Sequence, residues 1–388
     1  MSNSLMSTYL PQPVTFVRGE SATLWDDQGR TYLDALSGIA VTNLGHAHPA
    51  VTQAICAQAG QLIHTSNLYR IGNQQQLGDM LTAFAGMDRV FFSNSGAEAN
   101  EAAIKLARLY GHRRGIERPA IVVMESSFHG RTLATLSATG NRKVHAGFEP
   151  LVSGFVRVPY NDMATLRSVA ASNQSIVAIL VEPVQGEGGV HIPAANYLEQ
   201  VRQLCDEQQW LMMLDEIQTG MGRSGKPFAY MHSTIAPDVM TLAKGLGNGV
   251  PIGACLARGD AANLFQPGNH GSTFGGNPLV CAAAMAVVTT LQQENLAARA
   301  TTLGRRIAEG LRLALKDNSH VLEVRHLGLL IGVELDAPCA DLVATALAHG
   351  LLINVTAERV IRLLPPLILS DSEADHLVKE LALLINAR

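Results

Sequence analysis

Six short apolar runs, each closed by a polar or glycine-rich turn, constrain this chain more than any other feature. They are Val90–Phe92, Ala120–Met124, Ile176–Val181, Leu211–Leu214, Val239–Leu242 and Ile252–Ala257. Runs of this length suit strands buried on both faces. Helical patterns lie between some of them: Ala103, Leu106, Ala107 and Tyr110 recur at helix spacing, as do Tyr197, Val201, Leu204 and Gln208. Strands alternating with helices predict an α/β fold around a mostly parallel sheet. In such sheets ligands sit beyond the carboxyl ends of the strands, so the turns after these runs are where chemistry is expected.

The last hundred or so residues read differently. A helix starts near Asn277–Pro278, and a second, amphipathic one covers Leu303–Leu315. Apolar runs follow at Val321–Val324, Leu329–Leu335, Leu351–Val355 and Ile361–Leu364, and a final helix begins at about Asp371. This predicts a smaller α+β unit, with Leu24–Asp26 and Thr31–Asp34 as a hairpin packed on it. A length of 388 residues fits two or three domains, at roughly 100–200 residues each.

Composition excludes several classes of partner. With 47% hydrophobic and 16% charged residues the chain builds a sizeable core and is not a disordered one. A net charge of −4 makes no case for nucleic acid or an anionic membrane, and leaves a small molecule as the expected partner. Cysteines 56, 205, 255, 281 and 339 form no CxxC pair. Neither a disulfide framework nor a structural metal site is expected, and a reducing, cytoplasmic setting fits. MSNSLMSTYLPQP lacks the basic-then-apolar pattern of a signal peptide. No apolar run reaches the ~18 residues of a membrane span.

Three turns carry candidate chemistry. After Val90–Phe92 comes Ser93-Asn94-Ser95-Gly96-Ala97-Glu98, where Ser95 and Glu98 have capping-box spacing and announce a helix at Gly96. Small residues there leave N–H groups open to an anion, although a capped helix start needs no ligand. After Leu211–Leu214 comes Asp215, an acid able to hold a protonated ring nitrogen. Glu216 points the opposite way along an extended chain, so the two acids are not assigned to one ligand. After Val239–Leu242 comes Lys244. Burial would make that lysine a nucleophile toward an aldehyde; snorkelling from the strand end is the ordinary alternative.

Three other patterns point elsewhere and fall short. Gly220–Lys226 imitates a phosphate loop, but Pro227 stands where Ser or Thr must bind magnesium. His46 and His48 flank a turn before Pro49 and read as turn residues rather than a metal pair. Gly245, Gly247 and Gly249 miss the dinucleotide fingerprint, since position 250 is valine.

In order and spacing, these features resemble the class III, fold type I aminotransferases, and among them the acetylornithine group. The likeness covers nearly the whole chain. It is carried by GIAVTNLGHAHP (38–49), FFSNSGAEANEAAIKLAR (91–108), SFHGRT (127–132), VEPVQGEGGV (181–190), LDEIQTGMGRSG (214–225), LAKGLGNGVPIGA (242–254) and GSTFGGNP (271–278). The resemblance implies a seven-stranded, mostly parallel sheet flanked by helices in a large domain over 51–276. It places residues 1–50 with a small domain over 277–388. Its cofactor is pyridoxal 5'-phosphate, held by Lys244 as a Schiff base, with Asp215 on the pyridine nitrogen and Gln218 on the phenolic oxygen. Gly96 and Ala97 would bind the phosphate, and Phe128 would stack on the ring. Thr273 would reach the phosphate from a partner subunit, which implies a homodimer, and Ser272 would touch substrate there.

The same resemblance gives Arg131 a substrate carboxylate and Arg362 the α-carboxylate of glutamate or 2-oxoglutarate, a task suited to a planar guanidinium. Arg362 alternates with Ile361 and Leu363, so a surface place on an edge strand is its ordinary alternative. Glu187 matches a glutamate that neutralises this arginine and swings away for glutamate. Glu182 lies near and is a candidate partner for Arg131. Phe274 and the NSGAEA cup lean toward N2-acetylornithine over ornithine. Succinylornithine, other ω-amino acids, and a racemase or aminomutase on the same fold remain alternatives.

Overall fold

The computed structural model describes residues 4–388; the first three residues of the N-terminal segment lie outside that range. The early strands are β1 (Phe16–Glu20), β2 (Thr23–Asp26) and β3 (Thr31–Asp34). The central strands are β4 (Arg89–Ser93), β5 (Ala120–Met124), β6 (Phe155–Val158), β7 (Ile176–Val181), β8 (Leu211–Asp215), β9 (Val239–Leu242) and β10 (Gly253–Ala257). The late ones are β11 (Val321–Leu327), β12 (Leu330–Leu335), β13 (Leu351–Leu352), β14 (Asn354–Thr356) and β15 (Val360–Leu363).

The central seven form one sheet in the order β4-β10-β9-β8-β7-β5-β6. β5 pairs in parallel with β6 and β7, β7 with β8, and β8 with β9. β10 runs antiparallel to both β4 and β9. All six residues of β7 and all five of β5 and β8 are buried. Such unbroken burial is what helices on both faces of a parallel sheet impose. Six of the seven strands match the apolar runs. β6 was missed, because Arg157 interrupts its short edge sequence FVRV.

Two four-stranded sheets complete the fold. β11-β12-β15-β14 is antiparallel throughout, and β1-β2-β3-β13 joins the start of the chain to its end. The hairpin at β2–β3 forms as expected, and β3 pairs in parallel with β13. The apolar run Leu351–Val355 is not one strand: Ile353 separates β13 in one sheet from β14 in the other. The helix expected at Leu303–Leu315 spans Leu296–Ala314; its Ala- and Thr-rich first turns hide the apolar stripe. The final helix, Asp371–Asn386, carries a complete capping box between Ser370 and Glu373.

Gly220–Lys226 leads into no α-helix, only a short 3-10 turn at Ala229–His232. Gly222 and Gly225 take left-handed angles of 85° and 90°. Arg223 between them is fully buried and donates to the carbonyls of Leu329 and Pro365 and, at 2.7 Å, to Asn43 Oδ1. This strap fastens the central sheet to the C-terminal segments. Asp34 Oδ2 accepts from His46 Nε2 at 2.8 Å, and His48 stands before the helix Pro49–Ala59 without a side-chain capping bond.

Candidate active site

The carboxyl ends of β4, β5, β7, β8 and β9 converge on a cavity of about 410 Å³. Gly96, Ala97, Phe128, Arg131, Glu182, Glu187, Asp215, Gln218 and Lys244 line it. Nine residues singled out from the sequence therefore meet in one place. Arg362 stands immediately behind, through its bond to Glu187.

The β4 turn builds one wall. Ser95 caps the helix Gly96–Arg113 by accepting from the N–H of Glu98 at 3.2 Å. The return bond of the expected box lands one residue earlier, where Glu98 Oε2 accepts from Asn94 N–H at 2.8 Å. The first N–H groups of the helix then face the cavity unobstructed, a natural seat for a phosphate. A Cβ on Gly96 would lie 2.7 Å from Ile217 Cδ1, so glycine is needed for close packing against the β8 turn.

Asp215, at the end of β8, is buried. Its Oδ2 accepts from Asn100 Nδ2 at 2.7 Å and bonds His129 Nδ1 at 2.8 Å, while Oδ1 accepts from Ile217 N–H at 3.1 Å. Asn100 Oδ1 in turn accepts from Thr241 Oγ1 at 2.8 Å. His129 Nε2 is buried without a partner among the described residues. Glu216 turns away, as the strand geometry predicts. It accepts from Ala229 and Tyr230 N–H groups at 2.8 Å each and from Thr219 Oγ1 at 2.7 Å. Burial raises its pKa to about 6.

Lys244 follows β9 and is half-buried, lining the cavity rather than reaching from the strand end to open solvent. Burial lowers its pKa to about 8, although the nearby Glu187 pulls it upward. Arg362 is fully buried on β15, an inner strand, which removes the surface alternative. Its Nη1 donates to Glu187 Oε1 at 2.7 Å and to Gln218 Oε1 at 3.3 Å. Asn354 Oδ1 accepts from Nε at 3.0 Å and from Nη2 at 2.7 Å. Burial, the largest single influence, pushes the Glu187 pKa up, but the charge and hydrogen bond of Arg362, with Lys244 and Gln218, together outweigh it and the net shift is downward.

Arg131 is exposed at the mouth, with its guanidinium 5.7 Å from the centre of the Phe128 ring. Glu182 does not pair with it. The Glu182 carboxylate instead accepts from Phe128 N–H at 2.9 Å and Gly186 N–H at 3.4 Å, and burial raises its pKa. Two peptide N–H groups satisfy it inside the protein, whereas Arg131 points to solvent. Ser272 and Thr273 lie outside this cavity; Ser272 Oγ accepts from Asn94 Nδ2 at 3.2 Å and Gly275 N–H at 3.0 Å. His129, Asn100 and Thr241 are the functional neighbours that the sequence reading missed. His129 stood in the quoted SFHGRT block, and its place beside Phe128 was the available signal.

A half-buried amine and a buried, hydrogen-bonded acid face one cavity, with the start of a helix on its wall. The sequence family described as aminotransferase class-III matches residues 6–385, and the chain belongs to it. The acetylornithine aminotransferase of Nitrosomonas europaea is 58% identical over 381 residues, covering 98% of this chain and 97% of that protein. Two solved structures are also similar. One is the ornithine aminotransferase of Toxoplasma gondii, described with partial occupancy of PLP at its active site (TM-score 0.95, 34% identity, 99% of this chain and 92% of that one). The other is the acetylornithine aminotransferase of Elizabethkingia anophelis (TM-score 0.89, 35% identity, 99% and 96%).

The cofactor of this class is pyridoxal 5'-phosphate, and the residues present fit it. The cavity offers an amine for its aldehyde, a carboxylate for its pyridinium, N–H donors for its phosphate and the Phe128 ring for its face.

Proposed function

We propose that this aminotransferase moves the δ-amino group of N2-acetyl-L-ornithine to 2-oxoglutarate, giving N-acetyl-L-glutamate 5-semialdehyde and L-glutamate. The observation that carries the reading is the Glu187–Arg362 pair, 2.7 Å apart, beside the cavity that holds Lys244 and Asp215. The likeness to the Nitrosomonas europaea acetylornithine aminotransferase, 58% identical over nearly the full length of both chains, supports the acetylated substrate.

Pyridoxal phosphate, when bound, supplies an aldehyde that exchanges for the substrate amine and a ring that draws off electrons. Lys244 presents its Nζ to that aldehyde. Its lowered pKa leaves more of it neutral and nucleophilic than an exposed lysine would be. With the cofactor in place, the same Nζ would be the group that takes up and gives back the substrate's proton. Asp215 would hold the ring nitrogen protonated, and His129 and Asn100 hold its carboxylate in place. Gln218 would hold the phenolic oxygen, Gly96 and Ala97 the phosphate, and Phe128 the face of the ring.

The two substrates make opposite demands on Arg362. Acetylornithine brings an uncharged methylene chain and binds while Glu187 neutralises the guanidinium. Glutamate brings a carboxylate, which displaces Glu187 and takes its place in a bidentate bond. Arg131 receives the carboxylate at the other end of the substrate, with Glu182 behind Phe128. Ser272 and Thr273 act in the site of a second copy, so the working unit is a homodimer, and its setting is the cytoplasm. No helix among the described residues is long and apolar enough to cross a membrane.

A single-turnover spectral titration tests the reading. N2-acetylornithine, N2-succinylornithine, ornithine and 4-aminobutyrate are each added to the loaded protein without keto acid. Fast loss of the cofactor band near ~420 nm with acetylornithine, restored by 2-oxoglutarate, is the expected result. Faster loss with succinylornithine or ornithine would replace the substrate. A band that ignores all four amines sinks the reading.

A further inference from the structure

Glu187 owes its place to a loop. Gly186–Val190 forms a turn closed by the bridge between Gln185 and His191, with Val190 N–H donating to Gly186 O at 3.3 Å. Gly189 and Val190 take φ values of 120° and 54°. For a β-branched residue that left-handed conformation is costly and persists only when the surroundings hold it.

Thr356 of β14 donates to the Glu187 carbonyl, and Arg325 of β11 holds the Gly189–Val190 stretch. Its Nη2 donates to Gly189 O at 2.6 Å and its Nε to Val190 O at 2.9 Å. Its Nη1 is gripped by Glu334 of β12 at 2.6 Å and by Glu323 at 2.8 Å. Arg359 pairs with the other Glu334 oxygen at 2.7 Å, which fixes that carboxylate as well. The guanidinium and its two carbonyl bonds are buried, whereas the bonds to Glu334 and Glu323 are partly exposed. Only a planar fork with several fixed donors can bridge two loop carbonyls and two carboxylates at once.

We infer that Arg325 is a positioning residue for the dual-substrate site. It anchors the backbone of the Glu187 loop to the C-terminal sheet, so that the Glu187 carboxylate meets Arg362 at hydrogen-bond distance. Arg325 thereby sets how the site discriminates an amine donor with no charge near Arg362 from a dicarboxylate. The reasoning is geometric. Without Arg325 two carbonyls lose their donors and the strained turn relaxes, and a shift of an ångström is enough to undo a 2.7 Å contact. Arg362 then stands partly uncompensated, which disfavours a methylene chain and favours an anion. The inference rests on the reading of the two half-reactions proposed above.

The test uses the full-length holoenzyme and its Arg325→Ala and Arg325→Lys variants, each alone and combined with Glu187→Ala. Both half-reactions are followed by single turnover, and binding of glutarate, a dicarboxylate that cannot react, is measured by calorimetry. Arg325→Ala should lower the rate with acetylornithine relative to that with glutamate by about tenfold, or about 1.4 kcal/mol. It should also tighten glutarate severalfold. Both effects should vanish when Glu187 is already alanine, because the two residues then act through one contact. Arg325→Lys keeps the charge beside Glu334 but cannot reach both carbonyls, so it should show the same changes in smaller degree. It carries the test if the alanine variant does not fold. Equal losses in both half-reactions with unchanged glutarate affinity, or effects that persist without Glu187, overturn the inference. A wild-type enzyme that ignores acetylornithine sinks the substrate reading instead, and the glutarate measurement still decides the role of Arg325.

Discussion

Lys244 sits at a φ of 45°, a region that non-glycine residues avoid, immediately after a fully buried strand. Strain of this kind is kept where a side chain must be aimed. Its pKa, lowered to about 8 by burial, gives a pH prediction with a definite sign. The neutral amine is the reactive form. Cofactor uptake by the apoprotein should therefore accelerate through about pH 8 and then level, rather than rise toward the ordinary lysine value of 10.5; stopped-flow absorbance checks this. Glu187→Ala should slow the half-reaction with acetylornithine by at least about tenfold while sparing glutamate, since it leaves the buried guanidinium uncompensated only for the first. Single-turnover rates decide, and equal losses would contradict the exchange of partners at Arg362. Lys244 and Asp215 were legible in the sequence because each closes an apolar strand that has no structural use for a charge; Arg362, inside β15, was legible only through the family resemblance. His129, Asn100 and Thr241 were not. They reach Asp215 from a loop, a helix and a strand far apart in the chain, and only the folded sheet brings them together.

At the scale of elements, the helix Gly96–Arg113 is tied to β8 through one missing methyl group. Gly96→Ala would drive a Cβ into Ile217, and the helix start must tilt away from the cavity to accept it. Affinity for the cofactor should fall by about tenfold, with the larger share of the loss in the phosphate contacts, as equilibrium dialysis would show. A Ser95→Ala variant, which removes only the cap, should cost about 1 kcal/mol of stability and leave that affinity closer to wild type. The buried strands were the most legible elements, because burial on both faces leaves an unbroken apolar run. β6 was hidden by Arg157, whose guanidinium reaches the carbonyls of Ser137 and Thr139. The split of Leu351–Val355 was hidden for another reason: an apolar run records burial and carries no sign of which sheet does the burying.

At the scale of the whole molecule, the proposed homodimer places Ser272 and Thr273 of one copy in the site of the other. Subunit mixing tests this directly. Lys244→Ala and Ser272→Ala/Thr273→Ala proteins, each nearly inactive alone, should regain up to about a quarter of wild-type activity after denaturation and joint refolding. Half of the dimers would then be mixed, each with one intact site. No regain would place both residues in their own subunit's site.

The pairing of β3 with β13 has a consequence for how the protein is made. The hairpin β2–β3 leaves the ribosome among the first segments, yet the strand that covers its open edge is synthesised about 300 residues later. At ~5–20 residues per second, that edge waits for tens of seconds. During that time it is an unprotected template for a neighbouring nascent chain. Production at high expression should therefore depend on the holdase capacity of the host and on slowed synthesis far more than the stability of the finished enzyme would suggest.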